Sequence, residues 1–222
     1  MKVLVACEFS GTVRDAFIRR GHHAVSCDIL ETEVPGPHYQ GDVLDILDEG
    51  WDLMIAHPPC TFLSSSGLHW NTRRPERAAK TEEALEFVRA LLRAPIPRVA
   101  LENPVGCIGT RVRPADQYIH PHQFGADASK RTGLWLQHLP LLTPTSAVNP
   151  RMVNGKPRWA NQTDSGQNRL GPSDARWALR SATYTGIADA MADQWGSLPP
   201  DFPQPTAAER EAERADGQGG EA

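Results

Sequence analysis

The chain has 222 residues, 40% of them hydrophobic and 23% charged, with a net charge of −4. That length suits one α/β domain with a modest insertion. No window approaches the ~18 apolar residues of a membrane span, and Met1-Lys2-Val3-Leu4-Val5-Ala6 runs straight into a strand pattern with no signal-peptide apolar region, so a soluble, cytoplasmic protein with no membrane partner is expected. Four cysteines (Cys7, Cys27, Cys60, Cys107) lie far apart without a CxxC pair, which argues against a zinc site or a disulfide framework and leaves no metal to expect.

The charge is unevenly spread. Residues 111–180 hold 10 Lys/Arg against 4 Asp/Glu, whereas residues 1–110 hold 11 against 15. A basic segment inside an acidic chain suits a polyanion-binding face, and equally an arginine-rich solvated loop.

In chain order, residues 2–7 read as a buried strand, followed by the turn Glu8-Phe9-Ser10-Gly11-Thr12 and a helix over 13–20 closed by Gly21. A second strand, 23–28, ends on Asp28. This βαβ unit has an acid about 20 residues beyond its turn, as nucleotide-binding folds do, but only one glycine in the turn. Its helix start is expected to leave backbone N–H groups free for an anion. Residues 31–40 read as loop, and Gly41-Asp42-Val43 as a carboxylate at a strand end or helix start.

Residues 51–56 form an apolar strand that runs into His57-Pro58-Pro59-Cys60-Thr61-Phe62-Leu63-Ser64. Two prolines cannot continue a central strand, so Cys60 sits on a stiff loop at the C-terminal sheet edge, where ligands bind in open α/β sheets. A thiol there is either a nucleophile or a half-buried structural cysteine. Ser64 to Arg74 reads as a mobile flap, residues 75–92 as one long helix, and residues 98–104 as a strand delivering Glu102 and Asn103 to the same edge as Cys60. A further strand, 129–136, carries Lys130-Arg131 at its mouth. Residues 143–174 lack periodicity but are rich in groups suited to phosphate and base contacts, with Trp159 as a stacking platform. A last helix runs through Ala190 to Trp195, and residues 201–222 read as a disordered tail.

Together these pieces resemble the DNA cytosine-5 methyltransferases in their short phage or prophage form, over residues 3–142 and again at 180–196. The motifs are Phe9-Ser10-Gly11, Asp28, Gly41-Asp42-Val43, Pro59-Cys60-Thr61-Phe62-Leu63-Ser64 with Ser66-Gly67, Glu102-Asn103-Pro104, Phe124-Gly125 through Lys130-Arg131-Thr132, and Thr185-Gly186-Ile187-Ala188. The resemblance implies a Rossmann-like, S-adenosylmethionine-dependent methyltransferase fold with a very short, irregular target-recognition insertion. It implies a catalytic and cofactor-binding region at 1–142, a reduced recognition-like segment at 143–180, a returning helix at 181–200 and the tail. S-Adenosylmethionine would be held by Phe9, Ser10, Gly11, Asp28, Asp42 and Pro58. Cys60 would add to cytosine C6, with Glu102 on the ring, Asn103 holding the loops and Arg131 near the base. Ser64, Ser66, Lys130, Arg158, Trp159 and Arg169 would contact DNA, duplex with the base flipped out.

The chain departs from that pattern in its single-glycine turn, in Pro104 where valine is usual, and in a recognition segment of about 35 residues. Two other readings stand beside it. One is an exocyclic-amine DNA methyltransferase, which His57-Pro58-Pro59-Cys60 superficially fits. The other is a degenerate, non-catalytic fold that binds DNA. Cytosine-5 chemistry on a nucleotide or RNA is also compatible with the sequence.

Overall fold

The computed structural model describes residues 1–171, 173, 181–199 and 202–203. The expected tail at 201–222 lies outside the described residues except for Phe202 and Pro203, as does part of the 143–180 segment.

A seven-stranded sheet forms the centre, in the order β3-β2-β1-β4-β5-β7-β6. Its strands are β1 (Lys2–Ala6), β2 (His23–Asp28), β3 (His38–Gln40), β4 (Leu53–Ala56), β5 (Arg98–Pro104), β6 (Gln117–Ile119) and β7 (Thr132–Gln137). The first five are parallel, and β7 runs antiparallel to both β5 and β6. This is the Rossmann-like, doubly wound α/β architecture expected from the sequence. It differs in detail from the strand-by-strand reading: the stretch 31–40 contributes edge strand β3, β6 had no signal in the sequence, and the last long strand begins at Thr132 rather than Ser129.

Apolar residues on alternate positions supply both faces of the sheet, as a doubly wound sheet requires. Val3, Val5, Leu53, Ile55 and Ala100 face helix α1 (Thr12–Arg19) and the last described helix, Thr185–Gly196. Leu4, Ala6, Met54, Val99 and Leu101 face the long helix Pro75–Leu92 through Leu85, Val88 and Leu91. Phe17 and Trp195 are fully buried in the first layer, and burying Phe17 alone contributes about 1.5–3 kcal/mol. Arg19 and Asp189, 2.7 Å apart, tie the two helices of that layer.

Residues 143–171 are irregular apart from a hairpin, β8 (Arg151–Val153) and β9 (Lys156–Arg158). Asn154 and Gly155 both take positive φ, 50° and 72°, the backbone of a tight Asn-Gly hairpin turn. The dipeptide was the signal for it. The segment is clasped to the loop before β7, because Asn161 accepts from the Ser129 N–H and donates to the Ser129 carbonyl, both at 2.9 Å.

The loop after β4 is strapped to the loop after β5. Cys107 N–H donates to the Leu63 carbonyl at 2.9 Å, and Ser65 N–H to the Val105 carbonyl at 3.0 Å. Gly106 permits this, since a Cβ there would lie on the Leu63 carbonyl oxygen. Gly106→Ala must therefore push the two loops apart, and the cost of such overpacking is about 1–3 kcal/mol. Chemical denaturation should show that loss of stability.

Candidate active site

The chain reverses direction across the sheet between β1 and β4, since β2 and β3 extend one way and β5 the other. The crevice at the C-terminal ends of the strands on either side of such a switch point is where ligands enter this architecture. Here it is lined by Glu8, Phe9 and Ser10 after β1, His57 after β4, and Thr183 from the returning chain.

Register fixes what meets across β4 and β5. Ala56 pairs with Leu101, so the next positions are His57 beside Glu102 and Pro58 beside Asn103. Both couples bond. His57 Nδ1 lies 3.0 Å from Glu102 Oε2, and Asn103 Nδ2 donates to the Pro58 carbonyl at 2.7 Å. Thr183 Oγ1 adds a third contact, to Glu102 Oε2 at 3.3 Å. Glu102 and Asn103 are 8% and 2% exposed. Two residues past Pro58, the partly exposed Cys60 opens a single 3-10 turn, Cys60–Phe62.

Burial by itself would raise the Glu102 carboxyl, but the hydrogen bond and charge of His57 hold it down to about 2. Burial likewise opposes charge on His57, and the hydrogen bond and charge of Glu102, with the charge of Glu8, outweigh it and raise the imidazole. Each member of the pair thus favours the charged form of the other. His57 Nε2 is buried with no hydrogen-bond partner among the described residues and borders the crevice. Burial pushes the Cys27 thiol up to about 12 and raises Cys7 and Cys107. Burial thus favours the protonated form of all three.

The start of α1 differs from expectation. Its N–H groups are not free: the Glu8 carboxylate accepts from Val13 N at 2.7 Å and Arg14 N at 3.1 Å, and Ser10 Oγ donates to it at 3.3 Å. The chain's own carboxylate occupies the anion position at this helix terminus. Gly11, at φ 72°, makes the turn. Arg14, fully buried, donates to Ser26 and Thr32 and to the Val34 and Pro35 carbonyls, tying down the loop after β2.

Asp28 and Asp42 stand at the ends of β2 and β3. Asp28 accepts from Leu30 N at 3.0 Å and Asp42 from Leu44 N at 3.0 Å. Phe9 turns its carbonyl inward, to Glu33 N and Thr32 Oγ1. Carboxylates at adjacent strand ends can accept from the hydroxyls of a nucleoside, and the polar turn with the orphaned His57 Nε2 beside it can meet an amino-acid end, so these residues would suit a group such as S-adenosylmethionine. Among the described residues no three His, Cys, Asp or Glu side chains cluster as a metal site would need.

The remaining expected residues are dispersed. Ser64 and Ser66 bond each other at 3.1 Å. Arg131 lies over the Tyr118 ring at 4.4 Å. Lys130 is close enough to Glu102 and His57 for its charge to act on both. Trp159 has one face stacked on His122, ring centroids 4.4 Å apart. Arg158 donates to the Asp164 and Pro157 carbonyls, and Arg169 to the Gln162 carbonyl. The stretch expected as a flap is anchored at its base: it holds a one-turn helix, Ser65–Leu68, and Arg77 donates to the Gly67 and Thr61 carbonyls at 3.1 and 2.7 Å. Sequence reasoning missed His57, Glu8, Arg14 and Thr183 as site-building residues. Only the strand register, readable once β4 and β5 are paired, points to His57.

No family model and no curated protein matches the sequence. Among solved structures, the chain is similar to a protein provisionally described as a DNA modification methyltransferase encoded within an E. coli prophage. The similarity has 16% identity and a TM-score of 0.46, and covers 70% of this chain and 53% of that one. The chain therefore spans about half the length of that neighbour.

The ion pair gives a signed pH response. Glu102 contributes stability above its ordinary value of 4.5 and loses it as pH falls toward about 2. His57 contributes fully below its ordinary 6.5 and loses it as pH rises through its raised folded value. Glu8, raised by burial, works in the opposite sense to Glu102. NMR titration of His57 should give a midpoint above 6.5 that falls in Glu102→Gln, and an unchanged midpoint would remove the pair.

Proposed function

We propose that the protein transfers a methyl group from S-adenosylmethionine to C5 of cytosine in DNA, through a transient bond between Cys60 and C6. The observation that carries this reading is the pairing of β4 with β5. It sets the Cys60 loop and Glu102 at the ends of neighbouring strands, with Asn103 bonded to the Pro58 carbonyl. The motifs shared with the cytosine-5 methyltransferases fall on these same residues.

Cytosine C5 is too weak a nucleophile to take a methyl group unaided. Attack of the Cys60 thiolate on C6 places electron density on C5, and Glu102 orients the ring by accepting from the exocyclic amine, a contact to N3 requiring a proton between the two acceptors. Its Oε2 is already engaged by His57 and Thr183, so Oε1 is the oxygen offered to the base. After C5 is alkylated, loss of the C5 proton to a base and expulsion of Cys60 restore aromaticity. S-Adenosylmethionine, when bound, would supply the electrophilic methyl group, its S–CH3 bond breaking to leave the neutral thioether. Phe9, Ser10 and Gly11 would line its amino-acid end, Asp28 its ribose and Asp42 its adenine, with Pro58 shaping the floor. Asn103 holds the loop, and Arg131 and Lys130 sit near the base and its phosphate. Ser64, Ser66, Arg158, Trp159 and Arg169 are the further DNA contacts of this reading.

One observation favours the exocyclic-amine reading: His57 holds the polar position of a His-Pro-Pro loop and is itself fixed by Glu102. Covalent chemistry separates the two. With DNA containing 5-fluorocytosine and S-adenosylmethionine, the parent protein should form a denaturant-stable adduct and Cys60→Ser none. Methylation without an adduct would sink the cysteine mechanism and leave the amine reading.

A further inference from the structure

Residues 61–80 hold Arg73, Arg74, Arg77 and Lys80 against one acid, Glu76. Their positions make them one surface. Trp70, 39% exposed, has the guanidinium of Arg74 at 4.9 Å and of Arg73 at 5.8 Å from its ring centroid. The Phe62 ring, two residues after Cys60, carries Arg77 at 4.9 Å and Lys80 at 5.6 Å. Arg77 joins the halves, since it donates to the carbonyls of Thr61 and of Gly67, and Gly67 in turn accepts from Trp70 N. Thr81 Oγ1 donates to the Phe62 carbonyl at 3.1 Å and accepts from Asn71 Nδ2 at 2.9 Å, holding the long helix against the same loop. Among the described residues no carboxylate lies within ion-pair distance of Arg73, Arg74, Arg77 or Lys80.

The basic segment expected to grip DNA is arranged otherwise. Arg151 pairs with Asp164 at 2.6 Å, and Arg158 and Arg169 spend donors on carbonyls of their own segment. A cation held on an aromatic face keeps its charge and its outward N–H groups, whereas one bonded within its own segment offers fewer donors to a phosphate.

We propose that the surface formed by Arg73, Arg74 and Lys80 on Trp70 and Phe62, braced by Arg77, binds the DNA phosphate backbone beside the nucleotide that meets Cys60. This rests on the DNA reading above and locates its principal electrostatic grip in the catalytic loop and the start of the long helix, rather than in residues 143–171. Each phosphate neutralised releases counterions, so the surface should carry a measurable share of the salt dependence of binding.

The test is fluorescence anisotropy of a labelled, cytosine-containing DNA duplex across a range of salt, with the full chain. The triple variant R73Q/R74Q/K80Q leaves Arg77 to hold its carbonyls. It should bind about tenfold or more weakly at low salt and lower the slope of log K against log salt by about 2. R158Q/R169Q should change the slope by less, and thermal unfolding of both variants should match the parent. An unchanged affinity and slope in the triple variant would overturn the proposal while leaving methylation and the Cys60 adduct intact. Tighter charge-dependent binding of RNA of the same sequence would overturn the assignment to DNA. If the parent binds no duplex at all, the proposal and the DNA reading beneath it both fail.

Discussion

The site depends on the register between β4 and β5. Parallel strands place equivalent positions side by side, so pairing Ala56 with Leu101 obliges the next residues to meet. What meets is an imidazole with a carboxylate and an amide with a carbonyl. A shift of one residue would leave Glu102 buried without a counter-charge, and an unpaired buried carboxylate is far more costly than the pair. The ion pair therefore holds the register, and the register holds the Cys60 loop.

A second constraint acts at α1. In many nucleotide-binding units the helix terminus faces the ligand with unsatisfied N–H groups. Here Glu8 fills that role from inside the chain. Its buried carboxylate stiffens the turn at Phe9, Ser10 and Gly11 and lies across the crevice from His57, whose charge it helps to stabilise. An anionic end of a ligand would meet Ser10 and the orphaned His57 Nε2 rather than a bare helix terminus. The fixed turn also explains how one glycine suffices. Gly11 makes the positive-φ step, and Arg14 orders the neighbouring loop through carbonyls and hydroxyls.

The arrangement of the arginines follows the same logic of where donors are consumed. A count of basic residues along the chain points to 111–180, because that stretch has the largest excess. In three dimensions several of those guanidinium groups close the irregular segment upon itself, as Arg151 does with Asp164. In the smaller cluster at 73–80, Arg73, Arg74 and Lys80 rest on aromatic rings and are exposed. Composition measures charge, whereas binding depends on donors left available.

The sequence by itself determined the elements that follow from local pattern. Apolar runs specify β1, β2, β4 and β5. Pro75 opens the long helix, Gly21 ends α1, and the prolines at 58 and 59 end β4. The carboxylates at 28 and 102 are legible because each ends or lies near the end of an apolar strand, and the one at 42 because it follows a glycine before an apolar run. β3 and β6, three residues each, were not legible, because so short a strand is defined by its neighbours rather than by its own pattern. The β8–β9 hairpin carried its Asn-Gly signal, but its flanks lack alternation. Only the tertiary structure decided that His57 meets Glu102, that Glu8 occupies the start of α1, and that Arg73 and Arg74 share one tryptophan. Each of these depends on a distance between residues brought together by strand register or loop packing, and no local spacing in the chain encodes that distance.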